Sequence, residues 1–216
     1  MPEYRRVYVP GGTFFITLVT YQRQPLFSNI ENISKLRCAV ATVRFQMPFE
    51  IIGAVVLPDH IHFLWTLPAD DQAYSKRVGR LKVLFTQSLR GKGASVQNIS
   101  NSRSKHRESD VWQRRFWEHT IRNQADFERH LEYIHYNPVK HGFVSCPHLW
   151  EYSSFDRWVQ KGVYKNDWCC KCFGKELLVP EFIGIAEKVG ETEGLCGGKL
   201  VGKQKKSLLR LCGGHG

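Results

Sequence analysis

The sequence predicts an α+β fold, an antiparallel sheet with helices packed mainly on one face. Three observations carry this. Short β-branched and aromatic runs alternate with longer runs of helical spacing, in the order strand–helix–strand–strand–helix–strand–helix. Two adjacent strands meet at a Pro-Asp turn, the mark of an antiparallel hairpin. With 216 residues the chain is long enough for one good core and too short for a comfortable second domain.

Each element has its own justification. "GGTFFITLVT" (11–20) follows a Gly-Gly break and is β-branched and aromatic, so it reads as a strand. "ENISKLRCAVATVRF" (31–45) places Ile33, Leu36, Val40 and Val43 near helical spacing. "FEIIGAVVL" (49–57) and "HIHFLWTL" (60–67) are strands of one hairpin about Pro58-Asp59. "AYSKRVGRLKVLFTQSLRGKG" (73–93) is a basic amphipathic helix with Val78, Leu81, Leu84, Phe85 and Leu89 on its apolar face and a Gly-Lys-Gly cap. Residues 94–109 are polar and aperiodic, which predicts a loop. "VWQRRFWEHTI" (111–121) reads as a strand. "NQADFERHLEYIHYN" (123–137) reads as a helix ending near Asn137, because Pro138 disfavours helical geometry in the residue before it. A ferredoxin-like arrangement is the economical way to join these elements. Residues 1–173 form the expected domain. Residues 174–216, rich in Gly, Lys and Glu, read as a weakly ordered tail.

Charge narrows the partners. Thirty-one Lys and Arg against 20 Asp and Glu leave +11, which favours a polyanion, nucleic acid first and an anionic membrane surface second. The N-terminal segment has no apolar run of signal length and no stretch approaches a membrane span, so a cytoplasmic protein is expected, with no membrane partner. Seven cysteines in such a compartment should be thiols. Cys169, Cys170 and Cys172, with Cys146 and His148 upstream, raise zinc, but C-C-x-C does not match the usual C-x₂-C knuckle, so no zinc is predicted.

"PDHIHFLW" (58–65) puts two histidines on an otherwise apolar strand. Strand side chains alternate, so His60 and His62 share one face and Ile61 takes the other. Two imidazoles so placed either share a divalent cation or are satisfied by hydrogen bonds. In "HLEYIHYNPVKHG" (130–142), Tyr133 and Asn137 lie at i and i+4, on one helix face, while Tyr136 diverges by about 100°. Asn137 supplies an amide oxygen to a cation, or it caps the helix C-terminus.

Taken together, "YRRVYVPGGTFFIT", "PDHIHFLW", "WQRRFWEHTI", "YIHYNPVKHG" and "WEYSSFDRWV" resemble the HUH single-tyrosine transposases, and among them the REP-associated tyrosine transposases. The resemblance implies Tyr133 as nucleophile, with His60, His62 and Asn137 holding Mg²⁺ or Mn²⁺. Imidazole and amide ligands do not by themselves select Mg²⁺, so Mn²⁺ is expected to serve at least as well. It implies a DNA strand transferase that cuts and rejoins single-stranded DNA at REP-type hairpins through a 5′-phosphotyrosine. The resemblance implies a monomer, as in the REP-associated branch, with the dimer of insertion-sequence relatives left open, and a protein that is nucleoid-associated when bound to DNA.

Basic residues supply the expected DNA contacts: Lys76, Arg77, Arg80, Lys82, Arg90 and Lys92 along one helix, Arg103 and Lys105 in the loop, and Arg114 and Arg115 beside the aromatic strand. Arg5 and Arg6 join them through the resemblance. Trp112, Phe116 and Trp117 either stack on unpaired bases or fill the core. The rival from another class is a single-strand-binding module without catalysis, which would bind without metal and form no covalent adduct.

Overall fold

In a computed structural model, which describes residues 9–90 and 110–171, the expected element order holds. It runs β1 (Thr13–Val19), α1 (Ile30–Gln46), β2 (Glu50–Val56), β3 (His60–Thr66), α2 (Tyr74–Arg90), β4 (Trp117–Thr120), α3 (Gln124–Lys140) and the short α4 (Phe155–Gln160). The four strands form one antiparallel sheet in the order β2-β3-β1-β4. The fold is α+β. The predicted tail, residues 174–216, lies outside the described residues, as do the loop 94–109 and the Gly-Lys-Gly cap.

Strand alternation sorts the two faces. Phe14, Ile16 and Leu18 of β1 and Ile61, Phe63 and Trp65 of β3 point to one side, where they form the main core with Ile33, Leu36, Val43, Val78, Leu81 and Phe85 of α1 and α2. Phe15, Thr17, His60, His62 and Leu64 point to the other, and α3 crosses that side. Two long helices thus share one face, and the third covers the face that carries the histidines.

Gly53 lets α3 approach. A bulge in β2 lies between Ile51, which pairs with Trp65, and Gly53, which pairs with Leu64. A Cβ on Gly53 would meet Leu131 Cδ1 of α3 at 2.9 Å and Ile134 Cδ1 at 3.3 Å. The bulged carbonyls are not left bare: Trp158 Nε1 donates to Ile52 O at 3.0 Å and Arg157 Nη2 to Ile51 O at 2.9 Å. Residues 152–154 cover the β2 edge, with Val56 N donating to Tyr152 O and Ser154 N to Ala54 O, both at 2.8 Å.

Two boundaries differ from the sequence reading. The strand expected over 111–121 is regular only from Trp117 to Thr120. Thr17 pairs with Trp117, yet Thr20 bridges to Trp112: the two residues between, Leu18 and Val19, face four on the other side, Gln113 to Phe116. The excess bulges out at Arg114 and Arg115, both exposed. The last helix does not stop at Asn137 either. It absorbs Pro138 and runs to Lys140, where Gly142 N donates to Val139 O (3.1 Å) and Phe143 N to Pro138 O (2.9 Å). That pair of bonds is a Schellman cap, and it places its αL residue at Gly142, whose φ is 72°.

Candidate active site

The chemistry-bearing face is built from β3 and α3, with β1 between β3 and β4. On β3, His60 and His62 point the same way, their ring centroids 4.9 Å apart. The first turns of α3 are set by Asn123, whose side chain accepts from Asp126 N at 2.9 Å. Two turns beyond Asp126, Tyr133 stands edge-on to His62 at 5.2 Å between centroids, and Phe15 walls the pair, 5.3 Å from His62 and 5.9 Å from Tyr133. Asn137 follows one turn further along the same helix face. His60, His62, Tyr133 and Asn137 are all buried.

Hydrogen bonding leaves a consistent set of atoms unused. Asp59 Oδ1 lies 2.6 Å from His60 Nδ1, and an ionised carboxylate only accepts, so Nδ1 donates to it and Nε2 is the ring nitrogen left for a cation. Thr17 Oγ1 lies 2.9 Å from His62 Nδ1 and holds that ring by the same nitrogen. His62 Nε2 is buried without a hydrogen-bond partner among the described residues, and so are Asn137 Oδ1 and Nδ2. Unpaired buried polar atoms are costly, so their collection at one site calls for a ligand. An imidazole nitrogen and an amide oxygen suit a divalent cation, and a carboxylate on the far nitrogen of the histidine is the usual support for such a ligand.

Electrostatics keep the His62 imidazole neutral. Burial, then the neighbouring His60, His141, Lys140 and Arg23, hold the His62 pKa well below its ordinary value, so the ring is uncharged. Burial pushes the Asp59 carboxyl up, but its bonds to His60 and Arg23, the latter at 3.1 Å, outweigh burial and keep its pKa below the usual value. Lys140 Nζ stands 5.3 Å from the centre of the Tyr133 ring, and His141 lies 5.4 Å from His60. Tyr136 points elsewhere, into a cluster with Val139 and Cys169.

Asp59, Thr17, Lys140 and His141 were absent from the sequence reading of the site. Asp59 stood in plain view as half of a turn signal, directly before His60. Thr17 needed the β1–β3 register, which pairs it with His62.

The predicted DNA contacts divide. Lys76, Arg80, Arg114 and Arg115 are exposed. Arg77 is a correction: its side chain is buried, 1% exposed, donating to Met47 O (3.2 Å), Pro48 O (2.8 Å) and Asp71 Oδ2 (2.7 Å). It ties α2 to the α1–β2 turn and cannot touch a phosphate. Lys82 Nζ donates to Gln113 O at 2.8 Å above Trp112 and Phe116, and Arg90 is ion-paired with Asp110. Arg5, Arg6, Lys92, Arg103 and Lys105 lie outside the described residues. Trp112 is likewise core, packed on Phe27 and Phe85, whereas Phe116 and Trp117 are half-buried. No helix among the described residues is long and apolar enough to cross a membrane.

Comparison with known proteins gives the chain its family. A family model described as "Transposase IS200 like" matches residues 11–137, the span that holds all four site residues. A protein of Haemophilus influenzae (strain ATCC 51907 / DSM 11121 / KW20 / Rd) is 42% identical over 168 residues, 78% of this chain and 93% of that protein. The REP-associated tyrosine transposase of Escherichia coli (strain K12) is 40% identical over 168 residues, 78% of this chain and 91% of the relative. A solved structure of a REP-associated tyrosine transposase bound to a REP hairpin superposes with a TM-score of 0.66 at 40% identity, over 78% of this chain and 91% of that one. The chain therefore belongs to the IS200-like transposase family and, within it, to the REP-associated tyrosine transposases.

Proposed function

We propose that this protein cuts and rejoins single-stranded DNA beside REP-type hairpins, with Tyr133 as nucleophile and His60, His62 and Asn137 as ligands of Mg²⁺ or Mn²⁺. The observation that carries this reading is the meeting of a tyrosine ring and two imidazoles at about contact distance, next to a buried amide with no hydrogen-bond partner. A hydrogen-bonding role for the histidine pair would have used His62 Nε2 and the Asn137 side chain; both are idle. A divalent cation bound there would offset the charge of the phosphodiester and polarise its phosphorus.

The protein's own groups do the rest. Phe15 and the sheet exclude water from one side of the Tyr133 ring. The phenol oxygen attacks phosphorus, the bond from phosphorus to the 3′ oxygen breaks, and the 3′ oxygen leaves as a hydroxyl. The phenolic proton passes to solvent during attack. The 5′-phosphotyrosine conserves the energy of the broken bond, so a 3′-hydroxyl can reverse the step on the same or another strand without a nucleotide cofactor. Lys140, beside the ring, favours the negative charge that builds on it. His60, His62, Tyr133 and Asn137 come from one chain, which supports action as a monomer. The catalytic domain is proposed to span residues 1–173, and exposed Lys76, Arg80, Arg114 and Arg115 to meet DNA phosphates.

The test is the covalent state of the product. Incubated with labelled single-stranded hairpin DNA and Mn²⁺, the wild type should form a denaturation-resistant protein–DNA adduct, Tyr136→Phe should retain it, and Tyr133→Phe should lose it while still binding the hairpin. An adduct on Tyr133→Phe would reject the assignment; metal-independent binding with no adduct by the wild type would favour a binding module.

A further inference from the structure

Against the expectation of thiols throughout, Cys146 and Cys170 meet sulfur to sulfur as a disulfide pair, 24 residues apart in sequence. A third donor is present. His148 Nδ1 lies 3.8 Å from Cys170 Sγ, and one ligand atom from each of Cys146, His148 and Cys170 falls within 4.8 Å of the others. We propose that, with the two cysteines reduced, these three side chains bind a zinc ion that fastens the turn around Cys170 to the turn at residues 146–149. This site is separate from the one assigned to Mg²⁺ or Mn²⁺ and does not depend on that assignment.

The surroundings are those of a built site. Cys146 starts a tight turn in which Leu149 N donates to Cys146 O (3.1 Å), so one turn carries both Cys146 and His148. Lys171 N donates to Ser145 O at 2.8 Å and locks the second donor strand against the first. Cys169 adopts φ 53°, a left-handed conformation that a non-glycine residue takes only under constraint. The turn sends Cys169 into the apolar cluster with Tyr136 and Val139 and leaves Cys170 facing Cys146. A disulfide would use two of the three converging donors and give the imidazole no purpose.

Two thiolates and one imidazole are the ligand chemistry of zinc; oxygen-preferring Mg²⁺ or Ca²⁺ is a poor match. Binding displaces one proton from each thiol and changes no oxidation state. Three protein donors leave one tetrahedral position, filled by water or by another side chain. Cys172, two residues on in the sequence, lies outside the described residues and is not assigned.

The test uses the full chain carrying His60→Ala and His62→Ala, so that the other site holds no metal, purified with a phosphine reductant. Elemental analysis after dialysis should give one zinc per chain. Cobalt in its place should produce the near-ultraviolet thiolate charge-transfer band, which a site of imidazoles and amide cannot give. Cys146→Ser and Cys170→Ser should abolish the band, and His148→Ala, which leaves both sulfurs intact, should weaken zinc binding at least tenfold. Saturating zinc should raise the melting temperature of the reduced protein by roughly 5–10 °C. Should a cysteine variant fail to fold, His148→Ala and the melting shift still decide. Zinc-free reduced protein, or undiminished binding by His148→Ala, would overturn the proposal. So would two thiols that stay masked after reductant, because the pair would then be a disulfide only.

Discussion

The distance between α3 and the sheet is the quantity on which the proposed chemistry depends, and Gly53 sets it. Replacing Gly53 by alanine adds a Cβ 2.9 Å from Leu131 Cδ1, 3.3 Å from Ile134 Cδ1 and 3.6 Å from Leu64 Cβ. Ordinary contact begins near 3.4 Å, so the Leu131 tip must give by about half an ångström. A side-chain tip can do that at about 0.5–1.5 kcal/mol of rotamer strain. The gain in backbone order on leaving glycine, about 0.5–1 kcal/mol, offsets much of it. Gly53→Ala should therefore change stability by less than about 1 kcal/mol. Gly53→Val adds two further methyl groups against a helix that has no room for them. It should cost about 1–3 kcal/mol and move α3 outward, taking Tyr133 and Asn137 away from His62. A displacement on the order of 1 Å lowers a positioned reaction roughly a hundredfold.

Urea unfolding reads the first effect, and single-turnover adduct formation on hairpin DNA reads the second. Leu131→Ala removes the methyl groups that valine displaces, so Gly53→Val/Leu131→Ala should be more active than Gly53→Val alone, with the two stability changes non-additive by about 1–2 kcal/mol. If Gly53→Val forms adduct at the wild-type rate, or the two substitutions add without coupling, the contact does not set the helix position and the reasoning fails.

Other outcomes follow from the same structure. Thr17→Val removes the group that orients His62 and should weaken Mn²⁺ binding about 10- to 100-fold, read by metal titration of adduct formation, with little change in urea midpoint. Lys140→Gln should slow adduct formation about 3- to 10-fold while hairpin affinity changes far less, because the ammonium lies over the Tyr133 ring. Arg77→Ala should destabilise by about 2–4 kcal/mol without altering the salt slope of DNA binding, since its guanidinium serves the α1–β2 turn. The Arg77 hydrogen bond, then the Ala73 N–H, hold the Asp71 carboxyl below the ordinary value of 3.8. That pairing stabilises above pH 3.8 and is lost as pH falls through the lower folded value. The gap in urea midpoint between wild type and Asp71→Asn should accordingly be constant near neutrality and shrink below about pH 4.

Local periodicity made much of this legible. Period two put His60 and His62 on one face before any tertiary contact was known, and i,i+4 spacing paired Tyr133 with Asn137. What it could not deliver depends on long-range register or on two turns meeting. Thr17 reaches His62 only because β1 pairs with β3 in one register out of several. Cys146 and Cys170 lie 24 residues apart on separate turns, and no spacing rule within either turn announces them. Arg77 failed for a different reason. It sits three residues after Tyr74 and four before Leu81, inside the buried face of α2, so its charge was weighed and its position was not.

Pro138 shows how a local rule can mislead about the site itself. A helix that stopped before the proline would place Asn137 at its C-terminus, where the amide would be used to satisfy helix-end groups. Instead α3 takes the proline into its last turn and delegates its ending to Gly142. Proline gives up the bond its N–H would make to Ile134 O and crowds that carbonyl with its ring, and the ring is buried. The displaced cap frees the Asn137 side chain, which stays buried and without a hydrogen-bond partner among the described residues, one turn beyond Tyr133. The sequence "YNP" followed by His141-Gly142 therefore does two jobs at once. It lengthens the helix past the proposed site, and it leaves one side-chain amide unused by the backbone, as the proposed ligand role of Asn137 requires.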